Sequence, residues 1–175
     1  AHNATDGTVT DNLDFFIVGQ TYLDSYTIWR GFLFFDTTTI PNNAVITSAK
    51  LEIFIDKYSI VDFNITIQNG QPYYPHQPLQ TGDYYYTHYS GNGGNHSISG
   101  WSCLSWQNIT LNADGCSWID KQTVTKLCLR SNRDINYTTP TDPEYLDVYA
   151  SEMYAPKLHV TYEGYQYGFH GLFDE

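Results

Sequence analysis

Positive charge is scarce in this sequence. Eight Lys and Arg stand against 19 Asp and Glu, a formal net charge of −11 over 175 residues. Nucleic-acid backbones and anionic lipid surfaces are held by clustered Lys and Arg, so the chain is read as binding neither. Long apolar runs are missing too. None approaches the roughly 18 consecutive residues that a membrane-spanning helix needs. The three cysteines contain no C-x-x-C pair, which excludes a zinc ribbon. Neither a G-x-S-x-G elbow nor an H-E-x-x-H stretch occurs. The carboxylates are scattered over polar strand faces and loops, and the chain is read as having no enzymatic activity. It opens Ala1-His2 rather than with Met, which reads as a processed or trimmed chain.

What the sequence has in quantity is aromatic side chains, with 16 Tyr and 9 Phe. Aromatic and β-branched residues favour strands over helices. Short alternating runs bear this out. They are Thr27 to Asp36, Ser48 to Asp56, Asp62 to Gln68, Gln107 to Leu111, Val124 to Arg130, Glu144 to Ala150 and Lys157 to Tyr162. In the second, Leu51, Ile53 and Ile55 share one parity while Lys50, Glu52 and Asp56 share the other, the period of a half-buried strand. An Asn69-Gly70 pair marks a turn. A helical turn is expected only near Cys116 to Gln122. The pattern predicts one all-β domain over 1–175, an antiparallel two-sheet sandwich of jelly-roll type, with an immunoglobulin-like sandwich as the alternative. Residues 1–16 form an N-terminal strand or arm and 164–175 a C-terminal strand or tail.

Five N-x-S/T sequons occur, at Asn3, Asn64, Asn95, Asn108 and Asn136. Phe63, Ile65 and Ile67 share a parity, which puts Asn64 on the outer face of its strand, and Asn108 is placed outside in the same way. The sequons are read as N-glycan acceptors on a secreted or cell-surface protein. In that compartment Cys103 and Cys116 are expected to pair as a disulfide across the Trp-rich stretch between them, with Cys128 a buried or half-buried free thiol. Structural Ca²⁺ is the one cofactor considered. It takes about six to eight hard oxygens, and the loop acids Asp36, Asp56, Asp62, Asp83, Asp134, Asp142, Glu144 and Glu152 are available, with Asp36, Asp134 and Glu152 singled out. Arg30 heads an apolar run and is expected to pair with Asp36 or Asp134 rather than clamp a ligand.

Four spaced motifs carry a resemblance. They are WRGFLFFDTTTIP from Trp29, AVITSAKLEIFI from Ala44, VTKLCLRSNRDI from Val124 and APKLHVTYE from Ala155. Together they resemble the DNRLRE-type domain of archaeal and bacterial surface proteins, over roughly Ile17 to Glu163. The resemblance implies a jelly-roll-like sandwich, related in architecture to carbohydrate-binding modules, in extracellular proteins with no enzymatic activity of their own. The stretch between Gly7 and Val18 is short for such a domain, as though part of the first edge were missing.

Two functional expectations follow. In the tail GYQYGFHGLFDE, the aromatics Tyr165, Tyr167, Phe169 and Phe173 fall on one parity, as they would in a strand with one apolar face. Val9, Leu13 and Phe15 share a parity near the other end. A terminal strand offered to the edge of another copy would build a homopolymer: an extracellular, glycosylated filament, tube or surface array. The alternative is a carbohydrate-binding module. Residues 71–100 form a long aromatic and Gly-rich excursion in which Tyr84, Tyr86 and Tyr89 could stack on sugar rings, unless the loop folds back and buries them.

Overall fold

The computed structural model describes residues 2–10, 14–22, 25–59 and 61–164. Of the residues named above, Leu13, Tyr165, Tyr167, Phe169 and Phe173 lie outside this set. The described residues form ten strands: β1 Phe15–Tyr22, β2 Tyr26–Trp29, β3 Gly31–Asp36, β4 Val45–Tyr58, β5 Asn64–Gln68, β6 Asn95–Ser97, β7 Ser105–Thr110, β8 Val124–Ser131, β9 Glu144–Tyr149 and β10 Lys157–Glu163. Two short helices, α1 Ala113–Ser117 and α2 Asn132–Ile135, follow β7 and β8.

The strands make two antiparallel sheets, an all-β sandwich. One holds β1, β2, β4, β7, β9 and β10, the other β3, β8, β5 and β6 in that order. The long β4 organises the first sheet. Leu51 faces Leu158 on one flank and Ile109 on the other, and Ile55 faces both Val148 and Ser105. A strand has only two hydrogen-bonding flanks. β7 therefore covers one, and β9 and β10 lie end to end along the other. β1 then pairs with β9, and β2 with the second half of β1.

The alternation seen in the sequence sets the core. Leu51, Ile53 and Ile55 from β4 meet Ile65 and Ile67 from β5 and Leu127 and Leu129 from β8, all fully buried. Burying such a side chain contributes roughly 1.5–3 kcal/mol, so the sheets are held face to face by these rows. In β1 the parity departs from expectation. Phe16 and Val18 point to the core, whereas Phe15 is 41% exposed. β1 lies between β9 and β2, so its register is set by neighbours distant in sequence.

Two further expectations are corrected. Thr27 to Asp36 is not one strand. It breaks at Arg30, with β2 in the first sheet and β3 in the second. The cysteines Cys103 and Cys116 are not bridged; both are free, as is the fully buried Cys128. Leu104 N–H bonds to Ile55 O and Leu111 N–H to Ala49 O, so the two cysteines sit beyond opposite ends of β7. Six extended residues span about 20 Å, far beyond the Cα separation of about 7 Å that a disulfide can bridge. Burial pushes the Cys128 thiol up to about 12, which leaves it protonated and unreactive.

Thiol titration of the native protein should therefore find Cys103 reactive and Cys128 silent until denaturation. A reducing agent should leave the free energy of urea unfolding unchanged within about 0.5 kcal/mol. A larger loss on reduction would show a disulfide.

Candidate functional site: a groove between two unpaired strand edges

The break at Arg30 is where the site begins. The Arg30 side chain is fully buried and grips Asp134 with two parallel bonds, Nε to Oδ2 at 2.8 Å and Nη2 to Oδ1 at 2.8 Å. Its third nitrogen, Nη1, donates to the Tyr84 carbonyl, and the Tyr84 ring lies 4.3 Å from the guanidinium carbon. Asp134 also accepts Nε of Arg130 at 2.7 Å, and Arg130 reaches Gln68 Oε1 at 2.8 Å. His2 completes the cluster with Nδ1 2.8 Å from Asp134 Oδ1. Asp134 is placed by α2, whose start is capped by the Ser131 side chain accepting from Arg133 N–H. Arg30 comes from the Trp-Arg-Gly-Phe motif and Arg130 and Asp134 from the Leu-Arg-Ser-x-x-Asp-Ile motif, which meet here.

One carboxylate between two guanidinium groups has a clear electrostatic outcome. Burial alone would push the Asp134 carboxyl up. The hydrogen bonds and charges of Arg30 and Arg130 outweigh it and hold the group at about 2. Burial lowers the His2 imidazole, and the two arginines add to this against the pull of Asp134. A neutral ring therefore donates Nδ1–H to the carboxylate. His2 is 7% exposed, packed at a tilt between Tyr137 and Tyr86 with ring centroids 3.7 and 4.6 Å away. The cluster thus ties four distant segments together: the N-terminal arm, the β2–β3 corner, the 71–100 excursion and α2.

The arm is fixed at a second point. Gly7 N–H bonds to Thr81 O at 3.0 Å. A Cβ at Gly7 would come within 2.6 Å of the Tyr84 ring, so only glycine allows this approach. Beyond Gly7 the arm runs along the mouth of a cavity of about 550 Å³. Consecutive residues from Ile28 to Phe34 line this cavity, as do Phe15, Phe16 and Ile17. Lining by both parities means that strand edges, not one face, border the space. Neither edge has a partner among the described residues. β2 pairs with β1 only from Gly19 onward, and β3 pairs only with β8 among the described residues. The opposite walls are Thr8, Val9 and Thr10 of the arm and Gln77 to Thr81 of the excursion. Gly31 lets the edges converge, since a Cβ there would lie 2.6 Å from the Phe16 ring. The site is an apolar groove between two strands that each have a hydrogen-bonding flank to spare, a geometry that accepts an extended chain.

The other candidate residues are placed as follows. Asn3, Asn95, Asn108 and Asn136 are exposed and Asn64 is half-buried. The 71–100 excursion folds back over the second sheet. Tyr89 is 4% exposed, its hydroxyl donating to Asp83 O and its ring 5.5 Å from Phe32. Tyr84 lies against Arg30 and Tyr86 against His2. Asp134 spends both oxygens on the ion cluster, Asp36 accepts from its own turn at Thr38, and Glu152 is exposed on the β9–β10 turn. Among the described residues no three His, Cys, Asp or Glu side chains converge as a cation site. Val9 and Phe15 both line the groove. The sequence offered Asp36 or Asp134 as the partner of Arg30, and the structure has Asp134; Arg130, His2 and the groove itself were not foreseen. The one hint was the short first edge. No family model, curated protein or solved structure matches this chain.

Replacing Asp134 by Asn should cost about 3–5 kcal/mol, because two buried guanidinium groups lose their counter-charge. His2→Ala should cost about 1 kcal/mol. Both are measured by urea unfolding. The pH dependence has two windows. Asp134 has a lowered carboxyl, so its contribution is complete above pH 3.8 and is lost as pH falls toward 2. His2 is also lowered, so the folded state resists its protonation. Its contribution is complete above pH 6.5 and shrinks as pH falls below that value. His88, also lowered by burial, adds to the second window, so the His2→Ala variant should narrow that window and keep the first.

Proposed function

We propose that this chain is a structural subunit of an extracellular, glycosylated filament, tube or surface array, joined to its neighbours by β-strand addition. The observation that carries the reading is the groove bordered by two strand edges that have no partner among the described residues. An isolated sandwich would gain by covering such edges; a subunit that awaits a strand keeps one open. Added backbone pairing supplies affinity, and pockets for alternate side chains supply register. Exposed sequons on both sheets fit a glycoprotein whose surface is decorated away from the groove. The motif resemblance to extracellular surface domains of jelly-roll type points to the same setting. The reading assigns the chain no catalysis and no obligatory metal. With Tyr84 and Tyr89 packed against their own domain, the geometry favours assembly over a sugar platform on the excursion.

The test is electron microscopy and light scattering of the glycosylated protein beside a groove variant, Leu79→Lys with Phe34→Lys. Both positions are half-buried at the groove's wall, so the fold should survive, as far-ultraviolet circular dichroism can check. The parent should form extended assemblies, and the variant should need at least tenfold more protein to do so. A parent that stays monomeric at every concentration would defeat the proposal.

A further inference from the structure

The groove's occupant can be narrowed from how the chain is laid out. The argument rests on the strand-addition reading above. The N-terminal arm is already committed, because His2 fills its socket at Asp134 and Gly7 is bonded to Thr81. It forms a wall of the groove, not its filling. The other end leaves in a different place. Pro156 lines the groove, but no residue of β10 does. β10 carries the chain seven residues from there, about 23 Å, before Gly164. After it comes YQYGFHGLF, residues 165–173, with Tyr165, Tyr167, Phe169 and Phe173 on one parity and no Asp, Glu, Lys or Arg at all. In a chain of net charge −11, such a neutral aromatic stretch suits an apolar groove.

Its own groove is out of reach for most of that stretch. Two residues beyond Glu163 extend at most about 7 Å, so Tyr165 cannot start where Pro156 is. Folded straight back along β10, only the last residues would regain the groove's margin. A second copy imposes no such limit, and Gly31 to Phe34 of β3 line the groove, about 13 Å of edge with no partner among the described residues on that flank.

We propose that residues 165–173 of a second copy of this chain lie in the groove as an added strand beside β3. The aromatic parity faces inward against Phe16, Phe34 and Leu79, and the opposite parity faces solvent. Donor and acceptor are different surfaces, so the contact is heterologous. It propagates as an open chain of subunits instead of closing into a symmetric pair.

The experiment uses residues 1–175 with a benzophenone photo-crosslinker in place of Phe169. Equal amounts of unlabelled and heavy-isotope-labelled protein are assembled, irradiated and mapped by mass spectrometry. Mixed-label cross-links to the peptides holding Phe15–Ile17 or Phe32–Phe34 are expected. In parallel, Tyr167→Lys with Phe169→Lys should raise the concentration needed for assembly at least tenfold with unchanged circular dichroism. Cross-links confined to one copy, on β10 or β4, would overturn the proposal and make the tail a partner of its own sheet. Mixed-label cross-links elsewhere would overturn it as well. In both cases assemblies that persist would leave the strand-addition reading standing with another donor. An unmodified chain that never assembles would defeat both.

Discussion

One carboxylate, that of Asp134, holds this structure's most demanding feature in place. It is buried between two guanidinium groups and an imidazole, and each of these comes from a different part of the chain. Charge buried this deeply is costly, and the mutual attraction of the groups returns that cost only when the geometry is good. The bidentate Arg30 contact and the single bond from Arg130 meet that condition. Their collective role is best seen as specification. An apolar residue could fill the volume, but it would not require a corner, a helix cap, an excursion and an N-terminal arm to meet at one point.

The corner at Arg30 has the largest consequence. A strand that continued past Trp29 in the first sheet would cover the β1 edge at Phe15 to Val18. Instead the chain crosses to the second sheet, because the Arg30 side chain is drawn inward to Asp134. The crossing leaves β1 half-paired and makes β3 an edge strand. The groove is thus a by-product of the ion cluster. The same interaction that fixes the fold exposes the two edges on which assembly would depend. The arm anchored by His2 then walls the groove without pairing to either edge.

The excursion of residues 71–100 serves the same end. Three of its tyrosines are used internally: Tyr84 backs the Arg30 guanidinium, Tyr86 holds His2, and Tyr89 seals the second sheet over Phe32. Loops this long need packing of their own. Here they obtain it by covering a sheet face and contributing one wall of the groove.

Local patterning already determined much of this. The alternation in β4, β5 and β8 was legible because each strand buries one face, and a half-buried strand writes a period of two into its own residues. The outward placing of Asn108 and the all-β class followed from the same signal, and the sequence carried the pairing of Arg30 with Asp134 as one of two candidates. Only the tertiary structure decided the rest. The parity of β1 depends on β9 and β2. The separation of Cys103 from Cys116 depends on the straightness of β7 between them. The split at Arg30 depends on Asp134, 104 residues away. Local propensity favours a strand on both sides of Arg30 and so could not reveal the break. Long-range electrostatics imposed it, and with it the groove, because a pairing energy between distant residues leaves no periodic mark on either of them.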